Sequence, residues 1–181
     1  GRTQGDSLEI SLLLGSHMLV LAEKAKTLPE ARAMLENALS SGAGLRKLAE
    51  MIAAQGGDPR VVEDLSLLPQ AAVKRVMRAE TAGYLSAMDT TALGMAAQRM
   101  GAGRAKKSDM LDYSVGYVLH VRLGDEVTED TPLATLYARN EAEAEEAEKA
   151  IRKALTIAKE KPSVPPLWDA VVTAEGITYN R

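Results

Sequence analysis

The stretch that decides the fold runs from Ala82 to Ala138. It opens with the strand-like Ala82-Gly83-Tyr84-Leu85-Ser86. A helix-like segment, Thr90–Met100, leads into a glycine turn at Gly101-Ala102-Gly103-Arg104. Val115-Gly116-Tyr117-Val118-Leu119 follows, then Gly124-Asp125-Glu126-Val127, then Pro132-Leu133-Ala134-Thr135-Leu136-Tyr137. Val115, Tyr117, Leu119, Val121 and Leu123 occupy every second position, the period of a half-buried strand. Gly124-Asp125 turns the chain towards Leu133–Ala138. These residues predict a sheet-based module.

Upstream the period changes to helical. Leu8 to Ala25 reads as a helix that is apolar nearly all round, and such a helix is expected to be buried on every face. Gly15 and Ser16 are small enough to let another element approach closely. Thr27-Leu28-Pro29-Glu30 reads as a capping box, with Glu30 reaching back to the Thr27 amide. Ala31, Met34, Leu35, Ala38 and Leu39 then recur at helical spacing, with Gly42 as the stop. Leu45, Leu48, Ala49 and Ile52 mark a third helix, ended by Gly56-Gly57. Asp58-Pro59 predicts a short helix through about Asp64. Leu68-Pro69-Gln70 ends the helical half, and Val73 to Ala79 reads as an ambiguous strand.

Downstream, Asn140 caps a predicted helix that runs to Lys159. Its first turns carry Glu141, Glu143, Glu145 and Glu146. Lys153, Lys159 and Lys161 complement the dipole at its other end. Ala147, Ile151, Ala154, Leu155 and Ala158 form its inner stripe. Val171-Val172-Thr173 and Ile177-Thr178-Tyr179 read as edge strands. The fold class is therefore α+β, with a helical portion at 1–68 and a sheet module at 69–181.

Composition narrows the classes of function. The chain has 181 residues, 46% of them hydrophobic and 26% charged, which is ordinary for a globular protein. Phe is absent, so the core must be built from Leu, Val, Ile, Met and Ala. The net charge of −3 offers no basic excess for a nucleic-acid partner. With no Cys there is neither a disulfide framework nor thiol chemistry, which fits a cytoplasmic protein. The Ile10–Ala22 stretch is shorter than the ~20 apolar residues of a membrane span. The chain begins at Gly1 and enters a helical pattern within about ten residues, the expectation for a piece that begins inside a domain.

Few residues carry chemistry. His17 and His120 are the only histidines, and neither has metal-ligating neighbours at set spacing. His17 reads as a packing residue and His120 as a solvated one. Gly101 to Ser108 places Arg104, Lys106 and Lys107 beside a glycine turn but lacks the spacing of a phosphate loop. It reads as a structural turn, with anion attraction as the alternative. No nucleophile–base–acid set is present, so no catalytic or substrate-binding residue is assigned.

Two resemblances add to this reading. The strand, the Gly124-Asp125-Glu126-Val127 turn and the Pro132-Leu133 strand are similar to the hairpin of a barrel-sandwich or hammerhead module. Neither candidate tip, Ala87-Met88-Asp89 nor Gly124-Asp125-Glu126, has the lysine of a biotin or lipoate carrier. Over nearly the whole chain, in order, a second family fits. Leu13-Leu14-Gly15-Ser16-His17-Met18 and Leu21-Ala22-Glu23-Lys24-Ala25 resemble a long helix of pyrimidine nucleoside phosphorylases. Ala54-Gln55-Gly56-Gly57-Asp58, Leu68-Pro69-Gln70-Ala71, Gly101-Ala102-Gly103-Arg104, Asp112, Val115-Gly116 and Val121 through Gly124-Asp125 are similar to later landmarks of that family.

The resemblance implies the C-terminal part of a mixed α/β domain followed by a hammerhead-like sheet module. It implies reversible phosphorolysis of uridine, deoxyuridine or thymidine to free base and (deoxy)ribose 1-phosphate. This chain would then supply scaffold, without the catalytic loop, and be inactive alone. It implies a parent homodimer formed through an absent N-terminal domain, with phosphate and pyrimidine nucleoside as partners and no nucleic acid or membrane. It also implies a monovalent cation, potassium, held by the main-chain oxygens of Ser11 and Leu14 and by Glu23. A thymidine-specific phosphorylase fragment and a free-standing, non-catalytic hammerhead module are the alternatives.

Overall fold

A computed structural model of the chain describes residues 5–180. The chain divides into two compact units. One runs up to Leu67 and takes up the chain again from Pro165; the other is Leu68–Val164.

The first unit begins with three helices, α1 (Asp6–Leu21), α2 (Leu28–Ser40) and α3 (Ala43–Ala54). α1 and α2 pack together, and Gly15 shows why: a β-carbon there would lie 2.8 Å from Cδ1 of Leu35. Ser16, buried beside it, turns its hydroxyl onto the Leu12 carbonyl at 2.6 Å. The expectation that α1 is buried all round is corrected. Among its described side chains only Leu12 and Ser16 are buried, while Leu14, Met18 and Leu21 are exposed. One apolar stripe is used against α2, and the rest of the surface stays open within this unit.

The cap of α2 also differs in detail. Thr27 Oγ1 accepts from the Glu30 amide at 3.3 Å, as the capping box requires. The Glu30 carboxylate, however, takes the amide of Lys26 at 2.8 Å rather than that of Thr27. Asp58 and Pro59 start a 3-10 turn, Pro59–Val62, instead of an α-helix reaching Asp64. Asp58 Oδ1 accepts from the Arg60 amide at 3.0 Å, the short reach that favours the tighter turn. Near the other end of the chain, β7 (Ala170–Thr173) and β8 (Gly176–Tyr179) form a separate antiparallel hairpin.

The second unit holds the sheets. β1 (Val73–Arg78), β5 (Pro132–Ala138) and β3 (Gly116–Leu119) form one antiparallel sheet in the order β1-β5-β3. β4 (Glu126–Val127), β2 (Gly83–Met88) and β6 (Leu155–Ala158) form a second in the order β4-β2-β6. The sheets do not close into a barrel, and the fold is α+β. β5 is central and buried on both faces from Leu133 to Leu136, which explains its apolar run without alternation. The Val115–Leu123 alternation is used for strand pairing only over Gly116–Leu119. Beyond it, Gly124 turns the chain at φ 87° into β4, which joins the other sheet.

Two helices share the core with these sheets. α4 (Thr90–Ala97) is capped by Asp89, whose Oδ1 accepts from the Ala92 amide at 2.9 Å. α5 (Glu141–Ala154) is capped by Asn140, which accepts from the Glu143 amide at 2.9 Å. Met77, Leu85, Val127, Leu133, Leu136 and Ile151 are its largest fully buried side chains, and they fill the Phe-free core as the composition requires. The predicted helix to Lys159 is corrected: α5 stops at Ala154, and Leu155–Ala158 is strand β6 against β2. β-branched Thr156 and Ile157 suit a strand, and the open edge of β2 supplies hydrogen-bond partners that a longer helix would leave unused.

Candidate functional site

The residues that the resemblance assigns to a cation lie along α1 and just past it. Ser11 and Leu14 occupy consecutive turns, where each carbonyl faces the amide four residues on. Both side chains are exposed, and the Ser11 hydroxyl returns to the Ser7 carbonyl at 2.6 Å. Glu23 comes two residues after the helix ends. Among the described residues no group of three or more His, Asp or Glu converges to hold a metal ion.

The backbone assigns Glu23 another task. Its φ is 56°, a left-handed conformation that non-glycine residues rarely take. The Glu23 amide donates to the Val20 carbonyl at 3.0 Å, and the Lys24 amide to Leu19 at 2.9 Å. This is the Schellman closure of a helix, with Glu23 at the position glycine usually fills. The same closure recurs after α3, where Gly56 has φ 81° and donates to Ala53 while Gly57 donates to Ile52. The αL role of Glu23 was hidden from sequence reading because no glycine marks it.

The basic glycine turn after α4 is a closed structure. A π turn, Gln98–Ala102, ends α4, and Gly101 sits at φ 104°. The Asp109 carboxylate accepts from the amides of Ala105 and Lys106 at 3.0 and 2.8 Å. Gln98 Nε2 donates to the Arg104 carbonyl, and the Asp112 amide to Gly101. An internal carboxylate thus holds the amides that a phosphate would need. Arg104, Lys106 and Lys107 project from this turn as exposed side chains. Beyond it, the Asp112 carboxyl is held below the usual carboxylate range by the Ser114 hydroxyl and amide, with Arg139 adding to the effect.

The histidines separate. His17 is half-buried on α1. His120 is exposed but not merely solvated: its Nε2 lies 2.7 Å from Oγ1 of buried Thr135, the one polar side chain inside β5. The pair satisfies a hydroxyl that would otherwise be costly to bury. Across the core, the Tyr117 hydroxyl donates to the Leu93 carbonyl at 2.7 Å, and burial pushes its pKa up. Neither pair is joined by a third group in a nucleophile–base–acid relay.

Comparison with known proteins accounts for this arrangement. Residues 84–158 match the model of the pyrimidine nucleoside phosphorylase C-terminal domain. The chain is 45% identical over 141 residues to the pyrimidine-nucleoside phosphorylases of Bacillus subtilis (strain 168) and Geobacillus stearothermophilus. Each alignment covers 78% of this chain and 33% of the relative. It is 39% identical over 173 residues to that of Staphylococcus aureus (strain USA300), covering 96% of this chain and 40% of the relative. The chain thus spans about a third to two-fifths of the length of these curated relatives. The matched residues 84–158 run from within β2 to the end of β6 and include α4 and α5, and over them the chain is similar to the C-terminal domain of pyrimidine nucleoside phosphorylases.

Proposed function

We propose that this chain is the scaffold-forming C-terminal piece of an enzyme that carries out reversible phosphorolysis of pyrimidine nucleosides. A phosphate oxygen attacks the anomeric carbon of uridine, deoxyuridine or thymidine. The bond from that carbon to the base nitrogen breaks, the base leaves with the electron pair and takes up a proton, and a sugar 1-phosphate remains. The enzyme is a pentosyltransferase. Its phosphate-gripping and base-gripping groups lie in the part of the relatives' length that this chain does not span, which is also where the parent forms its homodimer.

The observation that carries this reading is the match of residues 84–158 to the family's C-terminal domain. The site geometry agrees with a scaffold role. The glycine turn at Gly101 is closed by its own Asp109, and His120 pairs with the Thr135 hydroxyl. No helix among the described residues is long and apolar enough to cross a membrane. The test is release of uracil from uridine with inorganic phosphate present. The chain alone is expected to give none, and the full-length protein is expected to turn over. Turnover by the pure chain would place the active site here and overturn the scaffold reading; an inactive full-length protein would overturn the phosphorylase reading.

A further inference from the structure

α4 and α5 lie side by side within the Leu68–Val164 unit and enclose a groove of about 450 Å3. Its floor is apolar: Ala96 and Met100 from one side, Ala147 and Ala150 from the other. The two α5 alanines create the space, since a larger side chain at either position would fill it. The volume falls within the ~300–1,000 Å3 typical of small-molecule sites.

The charges at the rim are unequally satisfied. Glu143 is held by Arg139 at 2.9 Å, and Glu146 by Lys149 at 3.4 Å. Lys149 is further engaged by Glu145 at 2.8 Å. Arg99 and Lys153 also line the groove, both exposed, and neither has an ion-pair partner among the described residues. The groove therefore offers an apolar floor and two uncommitted cations. We propose that it binds a small organic anion, with an alkyl or aryl body on the alanines and Met100 and a single carboxylate or phosphate group at Arg99 and Lys153. The flexible Met100 side chain adapts to either body, and the Arg99 guanidinium matches the oxygens of either head group. The proposal is independent of the phosphorolysis reading.

The test uses this chain with 13C-labelled alanine and methionine methyl groups, titrated in turn with octanoate, phenyl phosphate and the neutral octanol. Octanoate, phenyl phosphate or both are expected to shift the Met100, Ala147 and Ala150 methyl signals and to saturate. Saturation by octanoate alone assigns an aliphatic carboxylate, and by phenyl phosphate alone an aryl phosphate. Octanol is expected to bind at least about tenfold more weakly, as is the better anion to a chain carrying R99E and K153E. R99Q and K153Q provide the milder charge removal. Ala150→Trp is expected to abolish the shifts. Equal affinity for octanol and octanoate, indifference to the loss of both charges, or no shift with either anion overturns the proposal.

Discussion

Gly83 faces the carbonyl oxygen of Ala158 so closely that a β-carbon at position 83 would stand 2.5 Å from it. The approach lies where β2 meets β6, and the same β-carbon would press on Cγ2 of Ile157 at 2.9 Å. Position 83 also has φ 154°, a backbone value that side-chain-bearing residues seldom adopt. Gly83→Ala is expected to cost about 3 kcal/mol, the sum of overpacking and backbone strain. Urea unfolding of the variant beside the parent chain measures it. A loss under ~1 kcal/mol would show that β6 moves aside freely.

Ile151 is fully buried where α5 meets the sheets. Ile151→Ala is expected to destabilise the Leu68–Val164 unit by about 2–5 kcal/mol, and Ile151→Val by about 0.5–1.5 kcal/mol. Thermal unfolding of both variants checks the ratio. Equal effects would mean that the vacated space collapses completely.

Several helix starts could be read from residue order. Thr27 and Asn140 announce helix starts through their side-chain oxygens, and each accepts an amide of the first turn; the Asp89 cap emerges only from the structure. β6 could not be read in this way. Leu155 and Ala158 continue the helical spacing of Ile151 and Ala154, so the local pattern favours more helix. The deciding partner is β2, about seventy residues earlier, where Leu85 pairs with Ile157 and Ala87 with Thr156. A window of neighbours does not contain that competition. Neither does it contain the α4–α5 groove, which is lined by residues from two helices far apart in the chain.

Glu23 closes α1 in a left-handed conformation that favours glycine. Glu23→Gly is expected to stabilise the first unit by about 1 kcal/mol, and Glu23→Asn by less. Chemical denaturation followed by helical signal reads this. A loss of stability in the glycine variant would show that the Glu23 side chain does more than end the helix.

Asp58 is held well below the usual carboxylate range, at about 2, by the Arg60 side chain and amide. Arg60 Nε lies 2.9 Å from Asp58 Oδ1, and Nη2 2.5 Å from Oδ2. A carboxyl easier to ionise in the folded chain adds stability above its unfolded pKa and loses it as pH falls towards about 2. The pair is solvent-exposed, so solvent screening keeps that contribution small. The readout is therefore the carboxyl itself: its NMR titration midpoint is expected near about 2 in the parent chain. In Arg60→Ala it is expected to rise towards the ordinary aspartate value of about 3.9. An unmoved midpoint would assign the depression to another group.

No loop residue separates the last position of α5, Ala154, from the first of β6, Leu155. The Asp89 amide, at the end of β2, donates to the Ala154 carbonyl at 2.8 Å and clamps this junction from the opposite side. Helix and strand therefore meet at a joint without slack. One residue inserted there would reverse which side chains of β6 face inward, because the strand repeats every two residues. The same insertion among the exposed residues around Lys107 would merely lengthen a surface turn. The joint makes the second sheet a gauge of helix length, and α5 can neither grow nor shrink without putting β6 out of step with β2.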